Sequence, residues 1–133
     1  MIVERLRPEA RIEITVTDDM LAAFGDEVIH EVYGTASLVS HMELAARAVI
    51  IPACEPHEEG IGYRVEVTHL APAPVGSRIA VTARLGTVEG NRVTCEVEAR
   101  SQHGLIGEGR ITQVILPLAT LQRRFAAFGG DDK

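Results

Sequence analysis

The sequence predicts an α+β domain in which one antiparallel sheet wraps a single long helix. Three observations carry this expectation. Only one long segment, Thr35 to Ile51, repeats its apolar residues with a helical period. After residue 60 the period changes to two and holds through successive strands. A further alternating strand precedes the helix. The chain has 133 residues, which fits one domain spanning residues 1–133, with a core over 11–117 and a flexible tail from 126. A domain of this size buries about two thirds of the surface its unfolded chain exposes, so neither disulfides nor metal are needed to fold it.

Taken in order, Arg11 to Val16 alternates, with Ile12, Ile14 and Val16 on one face. Thr17-Asp18-Asp19 reads as a helix start that carries a short N-terminal helix over Met20 to Phe24, ended by Gly25. Asp26 to Gly34 reads as a loop or irregular extended segment. In the long helix, Leu38, Val39, Met42, Ala45, Ala46, Val49 and Ile50 form one apolar arc. Ala36, Leu44, Ala48 and Ile51 lie on the far side, so burial on most sides is expected. Pro52 ends the helix.

The connection Glu55-Pro56-His57-Glu58-Glu59-Gly60 leads into a strand with Tyr63, Val65, Val67 and His69 on its core face. Ala71-Pro72-Ala73-Pro74 breaks it. Ile79, Val81, Ala83 and Leu85 then alternate with polar residues, as do Val93, Cys95, Val97 and Ala99 after a Glu89-Gly90-Asn91 turn. This reads as a long hairpin with one wet face. Leu105 to Leu116 is the last strand. Gly107 and Gly109 within it indicate a bulge or the close approach of another backbone. Pro117 closes that strand, and the tail after Phe128 is expected to be disordered. A five-stranded sheet with one apolar face must cover the one buried helix, which is the hot-dog architecture. An exposed edge strand favours a homodimer, or a tetramer built from such dimers.

Several classes are disfavoured by composition. Thirteen basic against nineteen acidic residues leave a net charge of −6, which argues against a nucleic-acid surface. Cys54 and Cys95 are too few and too far apart for a disulfide framework or a Cys-based zinc site. No apolar run reaches membrane-span length and no secretory leader is visible at the N-terminus, so a cytoplasmic location is expected. His41 and Glu43, two apart on a helix, do not face one metal, and His57-Glu58-Glu59 lacks the second His of a helical zinc site. No resident cofactor or metal is expected.

Three residues stand out chemically. Glu43 borders the apolar arc of the helix. It is either a partly desolvated carboxylate, suited to act as base or nucleophile, or one half of an i, i+4 pair with Arg47. His69 continues the core face of its strand to the rim of a cleft, where it either moves protons or is held by a backbone carbonyl. Thr35 opens the buried helix, either as its N-cap or as a hydroxyl beside free N–H groups that could hold an oxyanion.

The strings His41-Met42-Glu43-Leu44-Ala45, Glu55-Pro56-His57-Glu58-Glu59-Gly60-Ile61-Gly62 and His69-Leu70-Ala71-Pro72-Ala73-Pro74-Val75-Gly76 resemble the fluoroacetyl-CoA thioesterase-like family. That family is a branch of the hot-dog acyl-CoA thioesterases. The resemblance runs from Thr15 to Leu116. It implies a Thr–Glu–His triad, with the Thr eight residues before the helix Glu and the His 26 residues after it. Thr35, Glu43 and His69 keep both spacings. It also implies that the backbone N–H of Gly62 binds the thioester carbonyl.

One feature of the fluoroacetyl-specific member does not carry over. Its pocket is covered by aromatic residues ahead of the Thr, whereas Gly25-Asp26-Glu27-Val28-Ile29-His30 has none. The implied function is hydrolysis of a short or medium acyl-CoA to the free acid and CoA. CoA would enter as part of the substrate, with Arg78, Arg84 or Arg100 as candidates for its phosphates. The alternative is a non-catalytic module that binds acyl-CoA or acyl-ACP. A hot-dog hydratase ranks behind both, because no Asp–His pair lies beside the helix.

Overall fold

A computed structural model describes residues 1–129. Strand β1 (Glu9–Thr15) is followed by the short strands β2 (Leu21–Phe24) and β3 (Glu27–Tyr33), then helix α1 (Thr35–Ile50). Strands β4 (Glu58–His69), β5 (Arg78–Glu89), β6 (Arg92–Ser101) and β7 (Gly104–Pro117) follow, and helix α2 (Leu118–Ala127) comes last. Five strands make one antiparallel sheet in the order β1-β5-β6-β7-β4, while β2 and β3 pair separately.

The expected short helix over Met20 to Phe24 is not there. A single 3-10 turn, Asp18–Met20, gives way to β2, which pairs with β3 across Gly25-Asp26. Gly25, at φ +61, supplies the left-handed backbone that the tight turn needs. The apparent helix start failed because the Thr17 hydroxyl bonds the Asp19 side chain rather than a backbone N–H. Five residues are also too few to repay helix nucleation. The segment expected to be loop or irregular extended chain, Asp26 to Gly34, is mostly β3.

Helix α1 runs almost as expected, and Pro52 sits in a 3-10 turn, Ile51–Ala53, that completes it. Leu38, Met42, Ala45, Ala46, Val49 and Ile50 are buried against Ile79, Val81, Val93, Cys95 and Ile111 of the sheet. Contrary to expectation, the far side is not buried within one chain: Leu44 and Ile51 are exposed. Helix α1 crosses all five strands, yet the inner face of the edge strand β4 is covered only in part, with Val65 exposed and Val67 and His69 half-buried. Tyr63 and Val65, read from the sequence as core-facing, are both exposed. For Tyr63 the cause is a bulge between Gly62 and Arg64, which turns its ring to the outer sheet face, 4.5 Å from the guanidinium carbon of Arg92.

The β5–β6 hairpin and its wet face match the sequence pattern. Arg84 joins Glu9 and Glu98 at 3.0 and 3.2 Å, and Arg110 joins Glu96 at 3.0 Å. These exposed pairs each contribute little.

In β7 the two glycines mark a close approach. Gly107 pairs with His69 and Gly109 with Val67. A methyl group at Gly109 would collide with the Glu66 carbonyl oxygen, and one at Gly107 would lie 2.8 Å from Leu38 Cδ2. Gly109→Ala must therefore push β4 away. It is expected to lower stability by about 1–3 kcal/mol, as overpacking against backbone does, read as a lower urea midpoint. An unchanged midpoint would show that β4 yields freely.

Helix α2 was not read from the sequence. Leu118-Ala-Thr-Leu-Gln-Arg-Arg-Phe is rich in helix formers and follows Pro117, which cannot itself propagate a helix from the strand. Residues 126–129, placed by the sequence reading in a flexible tail, form the last residues of α2 and a turn hydrogen-bonded back to it, and the rest of that expectation, over 130–133, lies outside the described residues. No helix among the described residues is long and apolar enough to cross a membrane.

Candidate active site

The start of α1 and the end of β4 meet. Thr35 Oγ1 lies 2.9 Å from His69 Nδ1. Thr35 is thus not the N-cap; Gly34 holds that position without a side-chain cap, leaving first-turn N–H groups free of one. When Nδ1 accepts from the Thr35 hydroxyl, the ring proton sits on Nε2, which is buried without a partner among the described residues. This pair lines a hollow of about 320 Å³ with Ala22, His30, Val32, Tyr33, Leu70, Ala71 and Pro72.

Tyr33 forms the aromatic part of that wall. Its ring meets the His69 ring edge-on, with centroids 6.3 Å apart, and stacks on His41 at 5.8 Å. Its hydroxyl and His41 Nδ1 share a hydrogen bond of 2.5 Å. Burial raises the Tyr33 phenol above its ordinary range and lowers the His41 imidazole below its own. Both shifts favour the neutral form of each group. Phe24, by contrast, is 80% exposed at the hairpin tip.

Glu43 lies elsewhere on the same helix. Its hollow, about 350 Å³, is lined by Ser40, Glu43, Leu44, Arg47, Gly60, Gly62 and Gln113. A Cβ at Gly62 would lie 3.3 Å from Glu43 Oε2, so a glycine there lets the carboxylate approach the backbone closely. Glu43 does not pair with Arg47, whose guanidinium reaches the Gly60 carbonyl at 3.4 Å. Among the described residues Glu43 has no ion-pair partner, and within one chain it is exposed.

Sequence reasoning missed Gln113. It is 5% exposed, its Nε2 is buried without a partner among the described residues, and it faces the Glu43 hollow. A signal was present, because Ile111, Gln113 and Ile115 share one strand face and only the middle one is polar.

The structure therefore unites Thr35 with His69, and Glu43 with Gly62, but not one pair with the other. Eight residues of α1 separate Thr35 from Glu43, a rise of about 12 Å. Seven residues of β4 separate Gly62 from His69, roughly 23 Å of strand. The two hollows share no lining residue.

Arg78, Arg84 and Arg100 lie together in a third hollow on the outer sheet face. Arg84 and Arg100 are already engaged by Glu98 there. The cation beside Glu43 is Arg47. Glu55, His57 and Glu58 bring possible ligand atoms within 4.8 Å of one another, but the Met1 ammonium pairs with both carboxylates.

The family model described as fluoroacetyl-CoA-specific thioesterase matches residues 16–119. A fluoroacetyl-CoA thioesterase of Streptantibioticus cattleyicolor is 36% identical over 88 residues, covering 66% of this chain, and the match spans 63% of that relative's length. Among solved structures, a thioesterase superfamily member from Thermus thermophilus is 46% identical with a TM-score of 0.87, over 92% of this chain and 91% of the other. A threonine-to-serine variant of the thioesterase FlK in complex with acetyl-CoA is 26% identical with a TM-score of 0.82, over 90% and 94% of the two chains. The five-stranded sheet, its helix and these likenesses agree, and the chain belongs to the fluoroacetyl-CoA-specific thioesterase family.

Proposed function

We propose that the chain hydrolyses an acyl-CoA thioester to the carboxylic acid and free CoA, in a composite site between two copies. The observation that carries this reading is the separation of two complementary half-sites along β4, an edge strand with exposed apolar residues beside it. Val65 is 43% exposed there, and Leu44 and Ile51 of the helix segment are exposed as well. A two-fold pairing of β4 with its copy runs the strands antiparallel and covers such a patch. The Glu43 half of one chain then faces the Thr35–His69 half of the other.

In such a site Glu43 attacks the thioester carbonyl or activates the water that does. The carbonyl oxygen gains charge and accepts hydrogen bonds from the Gly62 N–H and the Gln113 amide. As the C–S bond breaks, the His69 Nε2–H donates a hydrogen bond to the departing sulfur, which leaves as the CoA thiolate and takes its proton from water. Thr35 holds Nδ1 and thereby keeps that proton on Nε2. Direct attack leaves an acyl anhydride on Glu43, which water then hydrolyses; the assisted route adds water in one stage. Both yield the acid and CoA.

The hollow beside His69 supports a short or medium acyl group. Ala22, Val32, Leu70, Ala71 and Pro72 give it apolar walls, and Tyr33 presents a ring whose hydroxyl is already engaged by His41. With no aromatic residue in 25–30, selection for the fluoroacetyl group over other short acyl groups is not expected.

The test is release of free thiol from acetyl-, fluoroacetyl-, butyryl-, hexanoyl- and phenylacetyl-CoA, with the mass of the protein in solution measured beside it. A dimer that turns over the shorter esters is expected. Binding of the esters without turnover would overturn hydrolysis, and a monomer with full activity would overturn the composite site.

A further inference from the structure

Helix α2 carries an apolar stripe that its own chain leaves largely uncovered. Leu118, Leu121, Phe125 and Phe128 recur at spacings of three and four, the spacing of one helix face. Phe125 is 63% and Phe128 88% exposed, and Leu118 is exposed too. On the same helix Arg123 and Arg124 have no carboxylate partner among the described residues, and the helix holds no acidic residue.

A matching surface lies at the tip of the β2–β3 hairpin. Phe24, Val28 and Ile29 are exposed there beside Asp26, Glu27 and Glu31, and none of these carboxylates has a cationic partner among the described residues. One surface is apolar and basic, the other apolar and acidic.

Topology puts them at opposite ends of β4. The Leu118 N–H donates to the His57 carbonyl at 2.7 Å, so α2 leaves from beside the start of β4. The Tyr33 N–H donates to the Ala73 carbonyl at 2.7 Å, and Val32 bridges Pro74, so the hairpin stands beside the end of β4. Within a chain the two surfaces are held apart. Antiparallel pairing of two β4 strands reverses one against the other, so the α2 of each chain comes to the hairpin of its partner.

We infer that α2 docks on the β2–β3 hairpin of a second copy of this chain, resting on the composite-site reading above for the pairing of β4. The hairpin forms one wall of the acyl hollow through Ala22, His30 and Val32. Docking on it braces that wall from outside with Phe125 and Phe128. The shape of the hollow then becomes a property of the dimer.

The experiment uses full-length chains carrying Cys54→Ser, so that the half-buried native thiol does not react. One chain carries Phe128→Cys and the other, with a different affinity tag, carries Phe24→Cys; both sites are exposed, so folding is not at risk. The two are co-expressed, treated with a bis-maleimide of about 10 Å reach, and run on a denaturing gel, with light scattering of the untreated protein. A covalent heterodimer needing both cysteines is expected. Adding Arg123→Glu and Arg124→Glu to the first chain should reduce it severalfold, and Glu27→Arg with Glu31→Arg on the second should recover it.

A dimer by light scattering that gives no cross-link overturns the docking and leaves the composite site standing. A monomer overturns both. If the two cysteines placed in one chain instead link within that chain, the helix folds onto its own hairpin and the inference fails.

Discussion

Chains carrying Glu43→Ala and chains carrying His69→Ala are each expected to lose at least roughly a hundredfold in turnover, the scale of a positioned acid or base. Mixed by co-expression, they are expected to recover activity that neither has alone. The reason is geometric. If one site takes Glu43 from the first chain and His69 from the second, a mixed dimer holds one doubly damaged site and one intact site. Random association makes half of the dimers mixed, so about a quarter of wild-type activity should return, at the wild-type KM. If each site lay within one chain, a mixed dimer would contain no intact site and mixing would restore nothing. Thiol release from the mixed sample, compared with each variant alone, decides between these. Full activity in the Glu43→Ala chain alone would remove Glu43 from the mechanism altogether.

What could be read from the sequence follows from what a local pattern encodes. The buried arc of α1 and the inward rows of β5 and β6 were legible because one face of each packs within the same chain, and periodicity reports that directly. The β2–β3 hairpin was not, because Leu21-Ala22-Ala23-Phe24 is short, irregularly paired and exposed, and so has no clean period of two. Tyr63 and Val65 were misplaced for other reasons. Val65 keeps the inward side but is left exposed within one chain, whereas a bulge breaks the alternation at Tyr63 and turns its ring to the outer face beside Arg92.

The spacing of Thr35, Glu43 and His69 was equally visible, while their arrangement was not. Spacing along a chain says nothing about which partners meet, and only the folded elements show Thr35 bonded to His69 with Glu43 two helical turns away. Gly107 and Gly109 were legible as a close approach because a missing Cβ is itself a statement about space.

Gln113→Leu is expected to separate activity from stability. The wild-type side chain places an amide nitrogen in the protein interior with no partner among the described residues, and an unsatisfied buried polar group costs about 1–3 kcal/mol. Leucine has similar bulk and no such cost, so the variant should unfold at the same or a higher urea concentration than the wild type. A residue kept only for packing would then show no loss of function.

If instead the amide is held ready for the charge that develops on the thioester oxygen, its removal takes away a transition-state donor. Such donors are worth on the order of 10²–10³ in turnover in water-poor sites. The expected signature is therefore a large fall in kcat with little change in KM, in a protein at least as stable as before. Gln113→Glu makes the contrast sharper. It keeps the size and polarity of the side chain, replaces donor hydrogens with a second carboxylate beside Glu43, and should be at least as inactive. Wild-type turnover in the leucine variant would leave the Gly62 N–H as the proposed donor to the oxyanion and return Gln113 to the core.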